Sequence, residues 1–294
     1  MRRQRTGEDL AIDATVLIVM VLVSLSIVYP FWKMLVDSFS TPAAAIKMGL
    51  KLFPEEVSLQ SYREVFSKNS VAIGYMNTLI RAVSGTVLTL VVCMLAAYGI
   101  ARMTLPFRKT ITVFILFTMF FGGGLIPTYL WFKSLGLLNT RFVLILPNIA
   151  SAFYIIIMRN FFQELPPEME ESAVLDGAGI FTLLARIIAP LSLPVIATVG
   201  LWSVVYHWNE WFDAMIYAAR RDLIVLQLLL RRILIENQAA EWLELASEET
   251  AVTALTEDTV KAATMFVSIG PIIIAYPFIQ RYFVKGIMVG SLKG

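Results

Sequence analysis

Long apolar runs dominate this sequence. Ile12 to Leu35 carries only Asp13 near its start and Lys33 near its end. A helix of roughly 20 apolar residues crosses a bilayer, and lipid tolerates only segments whose backbone groups pair internally. Further runs lie near Tyr75–Ala101, Thr110–Phe132, Phe142–Phe162, Leu191–Phe212 and Ala262–Phe283. The pattern predicts an all-α integral membrane protein with six transmembrane helices. The first run follows Arg2, Arg3 and Arg5 and ends in Tyr29-Pro30-Phe31-Trp32. A signal peptide has an apolar core of about 7–15 residues and a small-residue cleavage site, so an uncleaved first span fits better.

Composition narrows the class further. Hydrophobic residues make up 58% of the 294 and charged residues 16%, against about 25% charged in a soluble domain. A soluble enzyme, a disordered chain and a nucleic-acid-binding module are excluded. Cys93 is the single cysteine and His207 the single histidine, which excludes an internal disulfide, a histidine metal cluster and a thiol redox pair. The Gly122–Gly124 run has no following lysine, so no phosphate-cradling loop is present. The chain therefore reads as a non-enzyme with no catalytic residue, no metal and no cofactor of its own.

Basic residues set the orientation. Arg2, Arg3 and Arg5, the Arg102, Arg108 and Lys109 connection, and Arg281, Lys285 and Lys293 all fall on one side when the runs alternate. Both termini are expected in the cytoplasm. The expected organisation is 1–73 for the first span and outer loop and 74–283 for the core. Within it, a cytoplasmic loop covers 164–190 and an outer loop 218–261. A tail follows at 284–294.

Three segments invite functional readings. Gly122, Gly123, Gly124 and Pro127 interrupt the third run, either as a hinge beside a translocation path or as a site of close helix packing through small residues. From Leu165, two prolines precede Glu168, Glu170 and Glu171, where acids complement a helix dipole. Gly177 supplies the stop. This makes a short acidic helix followed by a second one over Ile180–Ala189, either a peg for a partner's socket or a soluble loop. On the fifth run, helical spacing puts Thr198, Trp202, Tyr206, Asn209 and Asp213 on one stripe. Trp202, Tyr206 and Asn209 read as a sugar-binding stripe or as part of an interfacial aromatic belt; Trp208 and Trp211 fit the belt, and Glu210 is a weaker candidate. Arg220, Arg221, Arg231 and Arg232 in the outer loop either steer an acidic partner or glycan or are solvated.

Glu171-Ser172-Ala173, Asp176-Gly177-Ala178, Ile187, Pro190 and Pro194 resemble the EAA loop of ABC-importer permeases. Glu171, Ala173, Gly177, Ile187 and Pro190 fall in register, while Ser172 and Ala189 depart from it. Phe120–Tyr129, Gly136–Thr140, His207-Trp208-Asn209 and the terminal Tyr276–Gly294 segment resemble the carbohydrate-importer permeases, closest to those for alginate and aldouronate-type oligosaccharides. The resemblance covers essentially the whole chain and implies a type I importer permease in a bacterial cytoplasmic membrane. It implies a second homologous permease as a heterodimer partner, two ATP-binding subunits that hold ATP and magnesium, an extracytoplasmic solute-binding protein and a saccharide substrate. It makes Glu170, Glu171, Ser172, Ala173, Asp176, Gly177, Ala178, Ile187 and Pro190 the ATPase-coupling loop. The alternatives are a permease of this type for another solute, an ion-coupled secondary transporter, in which inverted repeats are expected, and a non-transporting scaffold.

Overall fold

The computed structural model describes residues 7–47, 49–67, 69–233, 258–271 and 273–274. Every regular element among them is helical, and a single antiparallel bridge joins Ser40 to Val57. The chain divides into two units, residues 1–68 with 232–268 and residues 69–231 with 269–294.

In the first unit, helix α1 (Gly7–Ser38) continues through Pro30. Its stretch Ala11–Ser38 has a mean hydropathy of 2.5 and none of its most apolar part is buried within the chain. Such a surface needs lipid or another membrane helix against it. The 37–70 segment, read as a loop, holds helices α2 (Pro42–Ile46) and α3 (Gln60–Ser67). They fold back on the end of α1: Ser38 Oγ lies 2.9 Å from Tyr62 Oη, the Trp32 indole donates to Leu52 O, and Phe39 packs on Tyr62. Residues 258–271 are helical. The rest of the Ala262–Phe283 run and the Tyr276–Gly294 segment lie almost wholly outside the described residues, as do 234–257.

The second unit is built around α4 (Asn69–Ala101), whose mean hydropathy reaches 2.1. The expected Thr110–Phe132 span is two helices, α5 (Arg108–Phe120) and α6 (Leu125–Ser134), bent by 112°. Gly124 has φ +86°, a conformation that costs glycine little, and it turns the chain. The expected Phe142–Phe162 span is also broken, into α7 (Phe142–Ile145) and α8 (Ala152–Gln163). Pro147 removes a helical donor and Asn148 takes φ +62°, so the helix cannot run through.

Helix α9 (Pro167–Leu175) follows, then α10 (Ile180–Leu183), a π-helical turn over Leu184–Ile188 and α11 (Ala189–Leu191). An 85° bend leads into α12 (Leu193–Asn209), and α13 (Phe212–Tyr217) completes the series. One core joins α4, α8, α9 and α12 through Tyr98, Met158, Phe162, Ala173, Leu183, Ile188 and Val199. A second, at the opposite end, gathers Phe132, Val143, Leu144, Ala214, Tyr217 and Leu228.

Candidate functional site

Three regions of the second unit concentrate polar and aromatic chemistry. The first is the α9 turn. Pro167 occupies the first turn of α9, where its missing N–H is unpaired anyway. At the other end Gly177 has φ +81°, its N–H donates to Val174 O at 3.0 Å, and the Ala178 N–H donates to Ala173 O at 2.9 Å. This paired closure is a Schellman motif. Ala173 is buried and Ala178 packs on the same core. Ala173 and Ala178 thus face the chain's own interior and join α9 to the core shared by α4, α8 and α10. Glu170 holds Arg102 at 3.4 Å, and Arg102 lies over the Tyr98 ring. Glu171, Ser172, Asp176 and Pro190 are exposed, and Ile187 is half-buried within the π-helical turn. The outward face also presents Met169, Val174, Leu175, Ile180 and Phe181, with Leu175 87% exposed and Phe181 77%. Sequence reading passed over these apolar residues. Their signal was present, as large hydrophobic side chains inside an otherwise polar connection.

The second region is a cavity of 510 Å³ lined by Thr118, Met119, Asn148, Ala150, Ser151, Ala152, Phe153, Tyr154 and Tyr206. The break between α7 and α8 delivers Asn148 and Ser151, and α12 delivers Tyr206. The Asn148 amide donates to Tyr206 Oη. Trp202 sits one turn away and packs on Phe153 and Tyr154 at 5.6 and 6.2 Å. Trp202 therefore backs the cavity wall while Tyr206 lines it. Asn209 does not join them: its amide donates to Val205 O and the residue is exposed. Gly122 and Gly123 lie in the α5–α6 break, and an added Cβ at either would meet nothing within 4 Å. Among the described residues, neither glycine is a site of close helix packing. Pro127 stands in the first turn of α6.

The third region lies beyond the C-terminal end of α12. Helix α12 stops at Asn209 because Glu210 is extended, so Asp213 leaves the expected stripe and turns inward on α13. There it accepts from Arg81 Nη2 at 2.9 Å, while Arg81 Nη1 donates to Glu210 O at 2.8 Å. Both residues are buried. One turn along α4, Asn77 donates to Asp222 O and Ile224 O at 2.7 and 2.9 Å, and Thr78 accepts the Leu226 N–H. The 210–226 segment is thereby stapled to α4. His207 is buried with its ring against Gly85, where a Cβ would lie 2.7 Å from it. Trp208 is buried edge-on to Tyr75, so it is core rather than belt. Arg220 donates to both Asp222 oxygens at 2.9 and 2.6 Å, which holds the Asp222 carboxyl below its ordinary range. Arg231 stacks over Trp211 at 3.8 Å, and Arg221 and Arg232 are exposed.

The α9 motif, its closure and its position between two apolar segments can be compared with known proteins. A family model described as "Binding-protein-dependent transport system inner membrane component" matches residues 87–289. The chain belongs to this family of importer permeases. The chain is 37% identical over 275 residues to the polygalacturonan/rhamnogalacturonan transport system permease YtcP of Bacillus subtilis, covering 94% of this chain and 96% of that one. It is also 37% identical over 268 residues to LplC of the same organism, covering 91% and 90%. Among solved structures, a chain of a bacterial ABC transporter involved in the import of the acidic polysaccharide alginate superposes with a TM-score of 0.86 at 29% identity, covering 96% of this chain and 99% of that one. The permease assignment agrees with the resemblance of the Glu171–Pro190 register. It assigns this chain to the membrane component of a transporter, a non-catalytic family, in accord with its apolar helices.

Proposed function

We propose that this chain is the permease subunit of an ATP-driven importer for an oligo- or polysaccharide, with an acidic one favoured, in a bacterial cytoplasmic membrane. It crosses the membrane six times with both termini in the cytoplasm, as core 74–283 behind an N-terminal span in 1–73. It pairs with a second, homologous permease, takes its cargo from an extracytoplasmic binding protein, and draws work from two ATPase subunits that hold ATP and magnesium.

The observation that carries this reading is the α9 turn. A nine-residue acidic helix is closed by a Schellman motif and joined through Ala173 to the same core as α4, α8 and α12. Packed interiors transmit displacement rather than absorb it, so a pull on α9 reaches the membrane helices directly. The exposed Glu171, Leu175 and Phe181 offer a partner charge and apolar anchors. The Gly122–Gly124 break supplies a backbone joint beside the cavity.

The cavity supports the saccharide reading. Sugars have apolar faces and hydroxyl rims, and the walls offer Phe153, Tyr154 and Tyr206 rings beside Asn148 and Ser151. Polygalacturonan/rhamnogalacturonan is the cargo named for YtcP and the acidic polysaccharide alginate that of the solved importer, and Arg221 and Arg232 are exposed and available to an anionic ligand or partner. The test is ATP hydrolysis by the assembled complex, stimulated by binding protein with neutral or acidic oligosaccharides. Stimulation by an acidic oligosaccharide is expected. Tyr206→Ala raises its half-saturating concentration about tenfold, the equivalent of one lost contact of about 1.4 kcal/mol. An unchanged half-saturating concentration removes the cavity from the cargo path.

A further inference from the structure

At the end of the membrane helices nearest α9, two arginines stand without a counter-charge. Arg159 lies in the last turns of α8, and Arg108 opens α5, which packs on α8. Gln163, one turn after Arg159 on α8, donates to Ala101 O at the end of α4. Arg108 Nε donates to the free carbonyl of Ile100 at the end of α4. The Arg159 Nε is buried and meets no acceptor. Among the described residues no carboxylate comes within ion-pair distance of either, while the Glu170 carboxylate is engaged by Arg102. A guanidinium keeps its charge in any protein setting and matches an oxyanion with a planar fork of donors. Two such groups gathered at one helix end, one of them with an unmet buried donor, have the chemistry to hold an oxyanion.

We propose that Arg108 and Arg159 bind the phosphate of an anionic phospholipid headgroup. The choice of a lipid follows from α5. That helix has no buried residue, and Val113, Phe114 and Phe117 are exposed along it. A headgroup held at Arg108 lays its acyl chains along this apolar surface. Basic pockets between membrane helices on the cytoplasmic side take anionic headgroups in this way. The membrane side rests on the orientation proposed above; the arginine pair does not. The bound lipid would brace α5 against α8.

The experiment uses the assembled complex in nanodiscs or detergent, with native mass spectrometry counting retained phosphatidylglycerol against phosphatidylcholine. The wild type retains phosphatidylglycerol preferentially, and inorganic phosphate in excess does not displace it, which separates a lipid from a free anion. Arg159→Gln weakens retention about fivefold and Arg108→Gln/Arg159→Gln about 25-fold, at roughly one factor of five per basic residue. Arg159→Lys keeps the charge and much of the retention, which serves as the folding control. Equal retention of both lipids, or retention unmoved in the double variant, overturns the site. Displacement of the lipid by phosphate alone also overturns it. A complex that couples ATP hydrolysis to uptake yet holds no anionic lipid refutes this site and leaves the proposed function standing.

Discussion

At the residue scale the most consequential pair is Arg81 with Asp213. A charge removed from water is costly unless its partner and hydrogen bonds are complete. Here Asp213 and the Glu210 carbonyl meet the two terminal nitrogens of Arg81, while its buried Nε meets no acceptor. Asp213→Ala leaves the guanidinium buried without its counter-charge, and the expected loss is about 3–5 kcal/mol. The apolar double variant Arg81→Met/Asp213→Leu is expected to recover much of it. Thermal unfolding of the purified complex measures both. A double variant no more stable than Asp213→Ala contradicts the pairing account. Arg81 was open to discovery as a charge inside an apolar run, a default sign of function or structure in a membrane. Its partner was not, because helical spacing carried Asp213 onto the wrong face. Only the extended backbone at Glu210 ends α12 early enough to turn that carboxylate inward.

At the scale of elements the α9 turn was the most legible feature. Two prolines, three acids and a glycine bracket the short acidic helix expected there, and Gly177 takes the positive φ its place demands. The inward turn of Ala173 and Ala178 was not legible, since a small residue marks close approach without saying to what. The π-helical turn over Leu184–Ile188 leaves no mark in composition at all. The breaks at Gly122–Gly124 and Pro147 were visible as glycine and proline, but their angles depend on the helices around them. Gly177→Val places a β-branched residue at φ +81°, a strain of about 1–3 kcal/mol. Uptake and ATPase co-purification by the variant are expected to fall about tenfold, a loss within that range. Gly177→Asn, which tolerates the left-handed region, keeps most of both. Full co-purification and uptake by the Gly177→Val variant contradict the coupling role of this closure.

At the scale of the molecule, the apolar runs announce a membrane protein, and the family match confirms a transporter permease. Hydropathy finds where chain meets lipid, but it does not see a span broken by a tight turn. Among the described residues, two helices pass alone as spans and two bent pairs pass only when each is counted as one. The cavity was invisible in the sequence because its walls come from α5, α8, α12 and the α7–α8 break, which only the fold assembles. Its aromatic share was partly visible as Trp202 and Tyr206. Under the proposed function the labour is divided: this chain supplies a path, a joint and a lever, and another subunit supplies the energy. Reconstitution of the assembled complex in proteoliposomes tests that claim most directly. Binding protein and an acidic oligosaccharide are placed outside and ATP inside. The account predicts saccharide accumulation that requires internal ATP and the ATPase subunits and persists when proton and sodium gradients are collapsed. Accumulation that follows an ion gradient and ignores ATP would contradict it.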